Sequence, residues 1–108
     1  MDANTEILQQ LRQAAASKVL FLPHAVQQIS RPERMISPAD VRRVVCNGEV
    51  IEDYPEDPRG HSCLLLGYRI GNHPLHVVCA PKPEYLAIIT AYLPSRDQWE
   101  DDCRTRKP

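Results

Sequence analysis

The groups in this chain that could do chemistry are four histidines (His24, His61, His73, His76), a few strand tyrosines and a set of arginines. No Gly-rich phosphate loop, nucleophile elbow or HExxH pair accompanies them. His76 lies inside the apolar run Leu75–Ala80. Imidazole titrates near neutrality and suits proton transfer. Strand side chains alternate faces, so Val78 and Ala80 share the face of His76. Two registers of the hairpin that follows are open. With a five-residue loop and Ala80 facing Leu86, His76 lies opposite Thr90, and Tyr92 comes next on the same face. A shift of one residue brings His76 against Ile89 instead. The first register gathers an imidazole, a hydroxyl and a phenol on one surface; in the other, His76 is an ordinary core or surface histidine.

His24 opens a short helical segment and precedes Arg31 and Arg34. It reads either as a capping or surface histidine or as an acid–base group beside a phosphate. The two arginines can grip a phosphate bidentately, or pair with Glu33 and the acids of 49–57. His61 and His73 flank turns and should face solvent, while Tyr54, Tyr68 and Tyr85 read as half-buried strand packing. Cys46, Cys63, Cys79 and Cys103 are widely spaced, with no CxxC pair, which argues against a zinc ribbon or redox motif. His61/Cys63 and His76/Cys79 lie on adjacent strands, but residues three apart point to opposite faces, so the four do not converge on a metal. No metal and no cofactor is expected, and the cysteines read as reduced and structural.

These residues must be positioned by an α+β domain spanning 1–108. Residues 1–17 contain an N-terminal helix over 5–16, with Ile7, Leu8, Leu11, Ala14 and Ala15 on one stripe and Asn4 or Thr5 as its cap. Residues 18–48 hold a short apolar run, Val19–Leu22, that is either an edge strand or an extended connector, and then two helices. Ser37-Pro38-Ala39-Asp40 is a strong helix start: a capping serine, a proline in the first turn and an aspartate facing the positive dipole end. Asn47-Gly48 ends that helix, with glycine expected in the left-handed position. Residues 49–94 form an antiparallel four-stranded meander. Gly71-Asn72 reads as a two-residue hairpin turn, which pairs Gly67 with His76. Residues 95–108 read as a short C-terminal helix, Asp97–Thr105, and a basic tail, with Trp99 folded over the sheet edge. The expected fold is therefore a four-stranded antiparallel sheet with helices on one face.

A chain of 108 residues with 43% apolar and 25% charged residues can build one core unaided. A net charge of −1 restricts any nucleic-acid contact to a local patch. No apolar run is long enough to span a membrane. The first residues carry acids where a signal peptide has lysines, which fits a cytoplasmic protein. Segment 49–57 carries five acids and no base, either a solvated loop or a docking surface for a basic partner.

Three stretches resemble a known family. They are Leu22-Pro23-His24-Ala25; Arg34-Met35-Ile36-Ser37 with the helix leading to Gly48–Glu52; and SCLLLGY, PLHVVCA and YLAIITAYLP with Trp99. Together they are similar, in order, to the DUF4258 family of small bacterial proteins. The resemblance implies a compact domain like the RelE-like ribonuclease toxins, with a small zinc-finger antitoxin of the YgiT type as partner. The family's recurrent polar positions fall on His24, His76, Thr90 and Tyr92. Many relatives carry an arginine in the turn after the early histidine, where this chain has Gln27 and Gln28, so Arg31 or Arg34 would have to replace it. The expectation is a toxin-type, metal-independent endoribonuclease that cleaves RNA by 2′-hydroxyl attack. His76 would be base or acid with His24 as its counterpart, Arg34 and Arg31 would hold the phosphate, Tyr92 would stack on or orient the substrate, and Thr90 would complete the catalytic set. The competing expectation is a non-catalytic protein-binding module of the same fold.

Overall fold

The computed structural model describes residues 3–108. The elements run α1 (Ala3–Ser17), β1 (Val19–Phe21), α2 (Pro23–Ile29), α3 (Pro38–Asn47), β2 (Glu49–Tyr54), β3 (Ser62–Arg69), β4 (His73–Pro81) and β5 (Leu86–Tyr92). The sheet has five strands, not four, in the order β1-β5-β4-β3-β2. It is mixed rather than an antiparallel meander, because Val19–Phe21 pairs in parallel with Leu86–Ile88. A three-residue run between a helix and a proline gives little signal in the sequence. Its ladder partner, 67 residues downstream by the pairing Val19↔Leu86, makes it a strand.

One face of the sheet carries the core. Cys63 and Leu65 on β3, Leu75, Val77 and Cys79 on β4, and Leu86, Ile88 and Ala91 on β5 pack with Ile7 and Leu11 of α1 and Val41, Val44 and Val45 of α3. α1 starts at Ala3, so Asn4 and Thr5 lie in its first turn rather than before it; Met1 and Asp2, part of the N-terminal reading, lie outside the described residues. α3 starts as the sequence indicates, with a capping box. Ser37 Oγ accepts from the Asp40 N–H at 3.1 Å, and the Asp40 carboxylate accepts from the Ser37 N–H at 3.0 Å. At its other end Arg12 of α1 donates to the carbonyls of Val45 (3.2 Å) and Gly48 (3.1 Å), satisfying acceptors the helix leaves open.

Gly48 is extended (φ −78°, ψ 177°), not left-handed as expected. Its lack of a side chain serves close approach instead: a Cβ there would lie 2.6 Å from the Val44 carbonyl and 2.8 Å from that of Leu66. Gly67 does the same on β3, where a Cβ would stand 2.8 Å from Val44 Cγ2 and 3.1 Å from its Cα. These glycines let α3 settle directly onto the sheet.

Both hairpin registers differ from expectation. The β3–β4 turn has three residues, with Arg69 opposite His73 and Leu66 opposite His76. Gly71 (φ 88°) and Asn72 (φ 61°) both take positive φ. Facing residues share a side of the sheet, so only this register puts Cys63 and Leu65 on the same side as Leu75, Val77 and Cys79. Between β4 and β5, Ala80 faces Ala87, and a bulge at Ile89 then shifts the pairing, so that Val78 faces Thr90 and His76 faces Tyr92. Neither anticipated pairing of His76, with Thr90 or with Ile89, is the one found.

The expected C-terminal helix is absent among the described residues. Residues 95–108 form a strap instead, with one helical turn at Ser95–Trp99 and an antiparallel bridge between Trp99 and Arg106. Replacing Gly67 with Ala should destabilise the protein by about 1–3 kcal/mol, because the new methyl meets backbone as well as side chain of Val44. An unchanged urea midpoint for that variant would contradict the tight α3–β3 contact.

Candidate functional site

The second sheet face carries the polar groups. β4 brings His76 to it, and the Ile89 bulge brings Thr90 and Tyr92. Without the bulge, strand alternation would send the side chains of Leu86, Ile88, Thr90 and Tyr92 all toward the helices. The extra residue reverses the phase, so that Ala91 fills the core and Tyr92 turns to His76.

His76 is fully buried. Its Nε2 lies 2.6 Å from the Cys103 carbonyl oxygen and its Nδ1 lies 3.3 Å from the Tyr92 hydroxyl. Trp99, also buried, stands edge-on to the ring at 4.5 Å between centroids, with Tyr92 edge-on at 5.3 Å. A carbonyl only accepts, so Nε2 carries the proton and donates to Cys103. Nδ1 is then the acceptor for the Tyr92 O–H. Burial holds the His76 pKa below the ordinary imidazole value, partly opposed by the Cys103 carbonyl and the Glu52 carboxylate. Burial likewise raises Tyr92, so the phenol keeps its proton.

The strap is held at β2 by its own arginines. Arg106 donates from Nε (2.7 Å) and Nη2 (2.9 Å) to the Glu52 carboxylate, and its guanidinium lies 4.6 Å from the Trp99 ring centroid. Arg104 pairs with Glu49 at 2.5 Å. Tyr54 donates to Glu52, and its own pKa is pushed up to about 12 by burial and by that carboxylate. The bond to Arg106, set against burial, holds Glu52 below the usual carboxylate value. These ion pairs are solvent-screened and contribute about 1 kcal/mol or less each. Burial of the Trp99 indole contributes about 3 kcal/mol or more. Trp99 therefore holds the strap down and the arginines fix where it lies.

Beside this buried cluster opens a cleft of about 440 Å³. His24 and Gln28 of α2, Arg34 of the α2–α3 joint, Thr90, Tyr92 and Leu93 from the end of β5, and Ser95, Gln98 and Trp99 of the strap line it. The structure thus brings His24, Arg34, Thr90 and Tyr92 together. His76 lies behind Tyr92 and out of solvent, and Arg31 is exposed away from the lining. Sequence reasoning missed the strap's share of the wall and the Glu52–Tyr54–Arg106 cluster. Its signal was the pairing of a basic tail with the acidic segment 49–57 of the same chain. Glu49, Glu52, Asp53 and Asp57 all carry internal partners: Arg104, Arg106, His61 and Arg59 respectively. Among the described residues no group of three or more His, Cys, Asp or Glu side chains is placed to hold a metal ion, and no helix is long and apolar enough to cross a membrane.

The family model described as "Domain of unknown function (DUF4258)" matches residues 21–93, well over half of the chain. The chain belongs to that family. No curated protein and no solved structure matches it.

Because the folded state holds His76 below its ordinary value of 6.5, an unfolded chain binds the proton first as pH falls. Stability is then complete above about pH 6.5 and declines below it, with Glu52 adding a loss of the same sign at more acid pH. Urea midpoints at about pH 7.5 and about pH 5.5 should differ in that direction, and the difference should shrink in His76→Gln. An equal difference in the two proteins would assign the loss to other groups.

Proposed function

We propose that this member of the DUF4258 family is a RelE-like, toxin-type endoribonuclease that cleaves RNA without a metal ion. The observation carrying this reading is the meeting of His24, Arg34 and Tyr92 on one open cleft, with His76 hydrogen-bonded behind Tyr92. Transesterification of RNA needs two proton-transfer groups and a cation. One group removes the proton of the 2′-hydroxyl, which attacks the adjacent phosphorus. The other protonates the departing 5′-oxygen, and the cation steadies the charge on the phosphorane. The imidazole of His24 and the phenol of Tyr92 are the proton-transfer groups, and the Arg34 guanidinium is the cation. The Thr90 hydroxyl orients the ribose. Arg31, outside the cleft, meets the RNA only where the strand runs past it. The chain's near-neutral charge suits a short single-stranded substrate better than a long duplex. A small zinc-finger antitoxin of the YgiT type is the expected partner, and the cytoplasm the expected place of action.

A second reading, a non-catalytic protein-binding module, has a specific observation of its own. Met35 and Ile70 are 80% and 78% exposed, and both border a groove of about 410 Å³ with Leu93. The acidic segment 49–57 supports it less, since the strap arginines and loop partners already occupy most of its carboxylates.

End-labelled single-stranded RNA incubated with the purified chain in EDTA should yield fragments ending in 2′,3′-cyclic phosphate. His24→Ala and Arg34→Ala should each slow cleavage by about 100-fold with an unchanged circular dichroism spectrum. Intact RNA at high protein concentration, together with capture of a protein partner that Met35→Asp and Ile70→Asp abolish, would select the binding module.

A further inference from the structure

The cleft holds two candidate proton-transfer groups, His24 and Tyr92, and either has the chemistry to serve as base or acid. The strap decides which. The Cys103 carbonyl can only accept, and it stands 2.6 Å from His76 Nε2. That fixes the Nε2–H form of the neutral ring, so Nδ1 presents a lone pair to the Tyr92 hydroxyl 3.3 Å away. Tyr92 then points its proton inward to His76 and its oxygen lone pairs outward to the cleft. A phenol held this way accepts from a substrate hydroxyl rather than donating to a leaving group.

The carbonyl is held in place by the turn that carries it. Cys103 sits at φ 61°, unusual for a residue other than glycine or asparagine. The Asp102 carboxylate accepts from the N–H groups of Arg104 (2.9 Å) and Thr105 (3.0 Å), and the Cys103 N–H donates to the Glu100 carbonyl at 2.9 Å. The groups facing His76 come from each element around it: Tyr92 of β5, Glu52 of β2, and Trp99 and Arg106 of the strap.

We propose that Tyr92 and His76 form a proton relay that acts as the base of the cleavage reaction, that the strap's Cys103 carbonyl sets its direction, and that His24 is the acid. This rests on the endoribonuclease reading and assigns roles within it. As the ribose 2′-oxygen bonds to phosphorus, its proton passes to the Tyr92 oxygen while the phenol proton passes to His76 Nδ1, leaving His76 an imidazolium. The P–O5′ bond breaks, and protonated His24 delivers its proton to the 5′-oxygen. The products are a 2′,3′-cyclic phosphate and a 5′-hydroxyl, and solvent returns a proton from the relay to His24. His76 is a positioning and relay residue that never touches the RNA; Tyr92 is the catalytic residue.

Two measurements on the full chain test this. Nitrogen-15 spectra of the free protein should show His76 protonated at Nε2 and unprotonated at Nδ1; the opposite tautomer would overturn the relay. The second uses RNA with sulfur in place of the bridging 5′-oxygen at the cleavage site. A thiolate leaves without an acid, so this substrate restores activity lost with the acid but not activity lost with the base. His24→Ala should recover to near the wild-type rate on the thio substrate. Tyr92→Phe, which keeps the ring, and His76→Gln, which keeps a donor for Cys103, should stay about 100-fold slow on both substrates with unchanged KM. Rescue of Tyr92→Phe in place of His24→Ala would exchange the roles and overturn the proposal, as would a wild-type rate in His76→Gln. A wild-type chain that cleaves neither substrate would remove the endoribonuclease reading itself and the relay's role with it, whatever the tautomer.

Discussion

A neutral imidazole sealed from water at the centre of a small sheet is the constraint from which much of this structure follows. An unsatisfied ring nitrogen there would cost about 1–3 kcal/mol. His76 meets that demand on both sides, with the Cys103 carbonyl on Nε2 and the Tyr92 hydroxyl on Nδ1. The first partner requires the strap to cross the sheet, and the second requires β5 to turn Tyr92 away from the core. The left-handed backbone at Cys103, the Asp102 turn and the Ile89 bulge all serve those two hydrogen bonds. Removing the imidazole would leave a carbonyl and a phenol facing an apolar gap.

The sheet's two faces have different work. The helix side is a packed apolar layer, and Gly48 and Gly67 bring α3 close enough to make it dense. The other side is a thinner cover in which one tryptophan supplies most of the burial and two screened ion pairs supply direction. A segment held mainly by one indole is an element of lower local stability than the helices opposite. Its residues nevertheless make one wall of the cleft, so any function of that cleft depends on the strap staying seated.

The charges of the chain point the same way. Five acids between 49 and 57 suggest a surface waiting for a basic partner. The partner for two of them is the chain's own tail, where Arg104 and Arg106 meet Glu49 and Glu52. Two loop pairs, Asp53–His61 and Asp57–Arg59, absorb most of the rest. An overall charge near zero hides this internal pairing.

Local chemistry is what the sequence determined alone. The capping box at Ser37–Asp40, the amphipathic stripe of α1 and the apolar strands of residues 62–92 follow from side-chain types at fixed spacing, so the α+β class was legible. His24, Thr90 and Tyr92 were singled out by family resemblance rather than by local pattern, and it is the tertiary structure that sets them with Arg34 around one cleft. Tertiary structure decided whatever depends on counting across strands or on distant partners. β1 becomes a strand because Leu86–Ile88 lies beside it. The Ile89 bulge shows in the sequence only as a break from Leu86 and Ile88 to Ala91 in the apolar alternation, and one inserted residue moves every later side chain to the opposite face. The C-terminal residues become a strap rather than a helix because Trp99 gains more by covering His76 than a short polar helix gains by its own hydrogen bonds. His76 was visible as an unusual residue. Its burial, its tautomer and its partners were fixed by a carbonyl 27 residues away along the chain, a contact that no local pattern encodes.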